Sequence, residues 1–147
     1  MLLLATLFAE RAGAQSACAE TGCIDVVAVD GLIDEIEASN IIDTVKAANT
    51  SGDVEAVVLQ FDSEGSAVTD DRLAEIAEVM VSSDVPVTVW IGPTGATARG
   101  GAAELVAVAE FSSISAGATI GEVGTQRLPE VTYGELFAGD ASVALTE

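Results

Sequence analysis

Short β-branched runs alternate with helical stretches along most of this chain, and this alternation limits the fold more than any other feature. Strands are predicted at residues 24–29 (IDVVAV), 55–61 (EAVVLQF), 86–91 (PVTVWI) and 111–115. The runs are almost continuously apolar, which is typical of strands covered on both faces. The order β-α-β-α-β-α-β implies a mainly parallel sheet with right-handed crossovers, and therefore an α/β fold.

Three helices are predicted between these strands. The first is capped at Ser39 or Asn40, runs to about Asn49 and is ended by Ser51-Gly52. The second begins at Thr69 or Asp70. The third, over residues 100–109, is apolar nearly all round and is therefore expected to be buried.

Acidic residues dominate the charge of the chain. It has 24 Asp and Glu against 5 Lys and Arg, a formal net charge of −19, no histidine and a single lysine, Lys46. This charge repels phosphate backbones and anionic membrane surfaces, so nucleic-acid binding through a basic surface is excluded. Without histidine there is no Ser-His-Asp triad and no Cys-His dyad. Zinc sites of the usual kinds are excluded, no calcium loop is present, and we predict no metal site.

The N-terminus has features of a secretory signal. Residues 2–8 form an apolar run too short to span a bilayer, and residues 12–14 (AGA) fit a cleavage site. We predict a signal-peptide-like segment at residues 1–17 and a domain over residues 18–147 on the extracytoplasmic side. A buried or frayed N-terminal segment is the alternative. Residues 141–147 have the pattern of the middle of an element, so we expect the domain to continue further.

Two cysteines follow the predicted cleavage site. Cys18 and Cys23 are candidates for a disulfide bond if the chain reaches an oxidising compartment. The alternative is two unpaired thiols.

Two loops are expected at the carboxyl ends of the strands, where parallel sheets bind ligands. They are residues 62–66 (DSEGS) and residues 92–101 (GPTGATARGG), and the second leads into the third helix. The N–H groups at the start of that helix are suited to stabilising an oxyanion. Alternatively, the glycines serve only to let the helix pack close to the sheet.

Three segments, in this order and spacing, resemble the ClpP/crotonase superfamily. They are VVLQFDSEGS (57–66), VPVTVWIGPTGATARGGAAE (85–104) and SAGATIGEVG (115–124). The chain looks most like the N-terminal domain of NfeD-type membrane-bound serine proteases, relatives of signal peptide peptidase A. The resemblance covers about residues 24–125. It implies a spiral of β-α-β units, Ser–Lys endopeptidase chemistry without a cofactor, and homo-oligomers. The implied partner is a hydrophobic peptide or a membrane-protein segment, stomatin-like in this family.

The resemblance also implies roles for individual residues. Gly65 and Ser66 in the first loop and Gly101 in the second match the oxyanion-hole loops. The nucleophilic serine of the family falls on Gly100, which has no nucleophile. The basic lysine of the family lies downstream of the serine, where this chain has none. Arg127 cannot replace it, because a guanidinium does not deprotonate near neutral pH.

Three functional hypotheses remain open. The first is a degenerate, non-proteolytic domain that acts as a peptide-binding or oligomerising module of a membrane protein. The second is an active serine-type endopeptidase with a relocated hydroxyl, Thr97 or Ser66, and a base from outside the chain. The glycine at position 100 and the missing lysine favour the first hypothesis.

The third hypothesis is a crotonase-like acid/base enzyme. Residues 100–105 (GGAAEL) are similar to the helix start of crotonase-type enoyl-CoA hydratases. Glu104 is then the acid/base, with Asp62 or Glu64 as a second carboxylate. The alternative for Glu104 is a solvent-exposed or capping residue in the first helical turn.

Overall fold

The computed structural model describes residues 22–130 and 132–133, and its elements follow the predicted alternation. The strands are β1 (Cys23–Ile33), β2 (Val54–Ser66), β3 (Val87–Ile91), β4 (Thr97–Arg99), β5 (Phe111–Ile114) and β6 (Thr119–Gly121). The helices are α1 (Glu35–Ser51), α2 (Asp70–Val81) and α3 (Gly101–Val108). The α/β fold class is confirmed.

Strand β2 belongs to two sheets. Along one edge it pairs with β1 over its whole length, and along the other it pairs first with β3 and then, at Ser63, with β4. Strand β5 extends the sheet beyond β3, and β6 extends it beyond β4. All pairings between the described strands are parallel. The main sheet β1-β2-β3-β5 and the small sheet β2-β4-β6 agree with the predicted spiral of β-α-β units.

Among the residues that the structure describes, one face of the main sheet belongs to the core. Residues such as Val29, Leu59 and Val89 are at most 1% exposed and cluster with the apolar faces of the three helices. On the opposite face Val26 is 60% exposed and Phe111 63% exposed. The expectation that both faces are covered is therefore wrong for the outer strands. An apolar run shows that a strand can be buried on both sides, but not that both sides have a partner.

The cap of α1 differs from the prediction. Asp34, rather than Ser39 or Asn40, is the cap, and its Oδ1 accepts two first-turn backbone N–H bonds of 2.9 Å each. The helix therefore begins at Glu35. It ends as predicted, since Gly52 adopts the left-handed φ of 70° that favours glycine at this position.

The segments around the two candidate loops are more ordered than predicted. Residues 62–66 continue β2, because they pair with β1 on one side and meet β4 on the other. The glycine-rich loop contains β4, and β6 follows at Thr119–Gly121. Strands of three residues are too short to produce a periodic pattern in the sequence.

The predicted signal-like segment, residues 1–17, lies outside the described residues and stays a prediction. Cys23 is disulfide-bonded, while Cys18 lies outside the described residues, so their pairing also stays a prediction. Within the described part of the chain, no helix is both long and apolar enough to cross a membrane.

Candidate functional site

The carboxyl end of β2 and the turn before α3 approach each other at backbone level. A Cβ added to Gly100 would lie 3.7 Å from the Cα of Gly65. A Cβ added to Gly101 would lie 2.2 Å from Oγ of Ser66 and 3.0 Å from a side-chain carbon of Leu73. The structure therefore brings together the four positions of the two candidate oxyanion loops. We call Gly65, Ser66, Gly100 and Gly101 the glycine junction.

Gly100 forms a sharp turn between β4 and α3. Its φ of 49° and ψ of −129° are values that side-chain-bearing residues rarely adopt. In α/β-hydrolases a strained strand-to-helix turn exposes the nucleophile. Here the turn has no side chain, and its N–H donates to the carbonyl oxygen of Glu122 at 3.2 Å. The next N–H groups begin α3 and, as in any helix, have no acceptor within it.

The hydroxyl of Thr97 joins two strands. Its Oγ1 donates to the carbonyl oxygen of Ser63 at 3.4 Å, and its backbone N–H donates to Oδ1 of Asp62 at 3.0 Å. Ser63 is itself fully buried, and its Oγ donates to the carbonyl oxygen of Gly65 at 3.0 Å. These bonds hold β4 against the end of β2, so both Thr97 and Asp62 have structural partners.

The hydroxyl of Ser66 is bound by a cation. The guanidinium of Arg127 donates to Oγ of Ser66 at 2.5 Å and to its carbonyl oxygen at 3.3 Å. It also donates to the carbonyl oxygen of Val68, and its Nε pairs with Oδ1 of Asp70 at 2.6 Å. A guanidinium has no lone pair to accept a proton, so this contact holds the hydroxyl without activating it.

Glu104 is buried, and the expectation of an exposed or capping residue is wrong. It is 1% exposed, and its carboxylate accepts from the backbone N–H of Arg127 at 3.0 and 3.1 Å and from that of Leu128 at 2.7 Å. A charged residue inside an apolar helix requires such hydrogen-bond partners when it is buried. The position of Glu104 in an apolar helix was therefore the feature of the sequence that could have indicated its burial. These contacts fix residues 127–128 on α3. We call Glu104, Arg127, Ser66 and Asp70 the Glu104–Arg127 cluster.

The second candidate carboxylate, Glu64, has a different partner. Its Oε2 lies 3.1 Å from Nη1 of Arg99, whose Nε lies 3.5 Å from Oε2 of Glu122. Glu122 has a φ of 52°, a rare value for a residue with a side chain. The structure thus gives Glu64 and Glu104 separate partners rather than joining them as an acid/base pair.

Exposed apolar side chains flank the glycine junction, a feature that the sequence reasoning missed. Leu32 is 56% exposed, and its Cδ2 would lie 3.9 Å from a Cβ on Gly65. On the other side, Ile120 of β6 is 45% exposed and pairs in register with Ala98. A cavity of about 210 Å³ beside Ile120 is lined by Arg99 and residues 119–122. The surroundings of the junction are therefore partly apolar.

The described residues were also compared with the side-chain groupings that bind metal ions. Among the residues that the structure describes, no three Cys, Asp or Glu side chains are grouped in a way that could hold a metal ion.

Comparison with known proteins gives structural matches only, since no family model and no curated protein matches the chain. A variant of the 1510-N membrane-bound stomatin-specific protease, in complex with a substrate peptide, is 17% identical with a TM-score of 0.62. The match covers 80% of this chain and 57% of that one. The 1510-N membrane protease specific for a stomatin homolog from Pyrococcus horikoshii is 20% identical with a TM-score of 0.60, covering 68% and 49%.

Enoyl-CoA hydratases also match. A putative enoyl-CoA hydratase/isomerase from Acinetobacter baumannii is 14% identical with a TM-score of 0.57, covering 67% of this chain and 48% of that one. The chain thus spans about half the length of the solved structures that it matches. At these identities the similarity shows the fold, and the ClpP/crotonase-like fold expected from the sequence is confirmed.

Proposed function

We propose that this chain is a catalytically degenerate domain of the NfeD-protease type that binds peptides without cleaving them. The observation that carries the proposal is Gly100. The turn has the kind of strained backbone that exposes a nucleophile in α/β-hydrolases, but it presents no side chain to attack a substrate. The adjoining N–H groups at the start of α3 remain suited to a peptide carbonyl.

The missing base supports the same conclusion. The single lysine, Lys46, lies on α1, and Arg127 cannot act as a base. The two hydroxyls proposed as substitutes, on Thr97 and Ser66, are bonded to a backbone carbonyl and to a guanidinium. An active endopeptidase would have to break one of these bonds and obtain its base from outside the chain.

The proposed ligand is an extended hydrophobic peptide or membrane-protein segment. Leu32 and Ile120 provide exposed apolar surface on either side of the junction. Strand β6 pairs with β4 along one edge, and the peptide adds as a further strand along its other edge. The resemblance suggests a stomatin-like segment, and the stomatin specificity named for the matched protease is in line with it.

The setting is part of the same proposal. The signal-like residues 1–17 favour the extracytoplasmic side, and the matched proteases are described as membrane-bound. We therefore place the domain in a membrane-associated, homo-oligomeric protein. No cofactor is proposed, since a net charge of −19 opposes the phosphates of coenzyme A.

The crotonase-like alternative remains the second candidate, because enoyl-CoA hydratases share the fold. The position of Glu104 counts against it, since backbone N–H groups already bind both oxygens of this buried carboxylate.

The test uses the 147-residue chain and a fluorescent decapeptide rich in Leu, Ile and Val. Anisotropy measures binding, and mass spectrometry measures cleavage in the same samples. We expect the peptide to bind and to stay intact. Leu32→Glu should weaken binding by about tenfold or more, because it places a charge beside the junction. The matched control is Ile36→Glu on α1, where the side chain is 80% exposed and binding should not change.

Three results would contradict the proposal. Cleavage lost in Thr97→Ala or Ser66→Ala would establish the endopeptidase. Hydration of an enoyl thioester lost in Glu104→Gln would establish the crotonase-like enzyme. If Leu32→Glu and Ile36→Glu changed the peptide affinity equally, the glycine junction would not be the binding site.

A further inference from the structure

The first turn of α3, which is the proposed binding site for a peptide carbonyl, is buried. Gly101 is buried as a whole residue, and Ala102 and Ala103 are 0% and 4% exposed. A peptide reaches the backbone N–H groups of this turn only if the groups that cover them move aside. The contacts around the turn therefore decide whether the glycine junction is open to a ligand.

Ser66 is one of the groups that cover this turn. Its Oγ and Cβ would lie 2.2 and 3.1 Å from a Cβ on Gly101, and a side-chain carbon of Leu73 would lie 3.0 Å away. Because Gly101 has no Cβ, the hydroxyl of Ser66 packs directly against the backbone at the start of the helix. Leu73 belongs to the core and is fully buried, whereas Ser66 is half-buried. Ser66 is therefore the covering group that moves at the lower cost.

A short loop, residues 122–127, begins and ends on the same turn of α3. At one end the carbonyl oxygen of Glu122 accepts from the N–H of Gly100 at 3.2 Å. At the other end the N–H of Arg127 donates to the carboxylate of Glu104 at 3.0 and 3.1 Å. Gly100 and Glu104 lie about one helical turn apart. Residues 122–126 are exposed and form neither helix nor strand, and we call residues 122–127 the strap.

The side chain of Arg127 fastens the strap to Ser66. Its guanidinium donates to Oγ of Ser66 at 2.5 Å, to the carbonyl oxygen of Ser66 at 3.3 Å and to that of Val68. Its Nε pairs with Oδ1 of Asp70 at 2.6 Å. These acceptors lie on the segment that leads from β2 into α2, whereas the strap is attached to α3. One side chain therefore joins the two loops of the junction and holds the hydroxyl of Ser66 over Gly101.

This attachment is able to open without unfolding the core. Exposed loops outside regular secondary structure open locally at a much lower cost than core strands and helices. Asp70 is 68% exposed, so water and salt compete for its ion pair with Arg127. Rotation of the Arg127 side chain releases Ser66 while the backbone bonds to Glu104 stay in place. Opening therefore requires the loss of side-chain contacts at a single residue.

We infer that Arg127 is a latch that keeps the peptide site closed. The inference rests on the peptide binding proposed above and adds that the site must open before a peptide enters. In the closed form the hydroxyl of Ser66 covers the start of α3, and in the open form Arg127 has released it. A peptide that binds only the open form has its apparent affinity reduced by the fraction of molecules that are open. A variant without the latch should therefore bind peptide more tightly even though it is less stable.

The experiment is the anisotropy titration of the hydrophobic decapeptide with Arg127→Gln in place of the parent chain. We expect the affinity to rise about tenfold or more. Arg72→Gln is the matched control, because the Arg72 side chain is 22% exposed against 23% for Arg127 and forms its ion pairs with Glu35 and Glu75 instead. This control should bind the peptide as the parent does. A purely structural role of Arg127 would leave the affinity unchanged or lower it.

Asp70 offers a milder variant that keeps the bonds to Ser66. Asp70→Asn weakens the ion pair with Arg127 and should raise the peptide affinity about two- to fivefold. Asp71→Asn is its control, since it removes the same charge from the same first turn of α2 at a carboxylate that is not paired with Arg127. Its affinity should equal that of the parent.

Hydrogen exchange tests the latch without any peptide. The amides of residues 101–103 should exchange through a local opening that low urea concentrations hardly affect, whereas the amide of Leu59 in β2 should exchange only through global unfolding. Arg127→Gln should speed the local exchange about tenfold or more, and Arg72→Gln should leave it unchanged.

Several results would overturn the latch. They are a peptide affinity of Arg127→Gln no higher than that of the parent, an equal gain for Arg72→Gln, and exchange of residues 101–103 only through global unfolding. None of these results contradicts peptide binding by the parent. If neither the parent nor Arg127→Gln binds the peptide, the proposed function fails, and the exchange rates alone decide whether Arg127 closes this turn.

Discussion

The glycine junction and the Glu104–Arg127 cluster meet at Ser66, and they use side chains in opposite ways. The junction has the turn and close approach of a catalytic site, but three of its four residues have no side chain. The cluster has the carboxylate, guanidinium and hydroxyl that chemistry needs, but each is bound to a fixed partner. On the proposed function, the backbone of the site is kept at the glycine junction, while the polar groups of the neighbouring cluster contribute to stability.

Removal of the Glu104 carboxylate should cost the most stability. Glu104→Ala leaves the part-buried N–H of Arg127 and the buried N–H of Leu128 without their acceptor, at about 1–3 kcal/mol each. We expect the free energy of unfolding in urea to fall by about 4 kcal/mol in total. Glu104→Gln, which keeps one acceptor oxygen, should lose about half as much. Glu110→Ala is the exposed control and should change stability by less than about 0.5 kcal/mol. A loss below about 1 kcal/mol for Glu104→Ala would show that the cluster is not structural.

A methyl group at position 101 should disturb the junction itself. The added Cβ in Gly101→Ala meets Ser66 Oγ and Leu73, so we expect a loss of about 2–3 kcal/mol in urea unfolding. Ser66→Gly removes the closest of these contacts, and the double variant should therefore recover part of the loss. Additive losses in the double-mutant cycle would contradict the close approach of the two loops.

Removal of Arg127 from the cluster should cost more stability than removal of the more exposed Arg99. Arg127→Ala breaks hydrogen bonds to Ser66 and Val68 and should cost about 2 kcal/mol. Arg99→Ala removes ion pairs to exposed carboxylates and should cost less than about 1 kcal/mol. Equal losses of stability for the two variants, in thermal or urea unfolding, would show that Arg127 contributes no more than a surface ion pair.

A serine restored at position 100 should not restore catalysis. Gly100→Ser places a side chain at a φ of 49° and a ψ of −129°, a sparsely populated conformation that costs about 1–3 kcal/mol of stability. The restored hydroxyl has no lysine to accept its proton, so we expect no peptide hydrolysis by mass spectrometry. Hydrolysis by this variant would show that a base is present after all.

The smallest effect should be a loss of stability at alkaline pH. Burial, followed by the nearby charge of Glu78, raises the pKa of Tyr133 above its ordinary value of 10.0. The unfolded chain therefore releases this proton first, so stability is full below pH 10 and falls as the pH rises toward the native pKa. Urea midpoints at pH 9 and 11 should differ more for the parent than for Tyr133→Phe. If the urea midpoint changed equally between pH 9 and 11 in both proteins, Tyr133 would make no contribution to the loss of stability at alkaline pH.

The sequence predicts the fold better than it predicts the site. The apolar runs identify the strands of the main sheet, and α2 begins at Asp70 after the Thr69 cap, as the helical pattern indicates. Local patterns do not identify the acceptor role of Glu104, because its partners lie 23 and 24 residues further along the chain. Nor does an apolar run reveal which face of a sheet has a partner. The family resemblance, rather than composition or periodicity, singles out Gly65 and Gly100 as site positions.

The most direct test of a binding site without catalysis is the peptide titration followed by mass spectrometry. We expect saturable binding of the hydrophobic decapeptide, full recovery of the intact peptide after prolonged incubation, and weaker binding by Leu32→Glu than by Ile36→Glu. Peptide cleavage that disappears in Thr97→Ala or Ser66→Ala would contradict it.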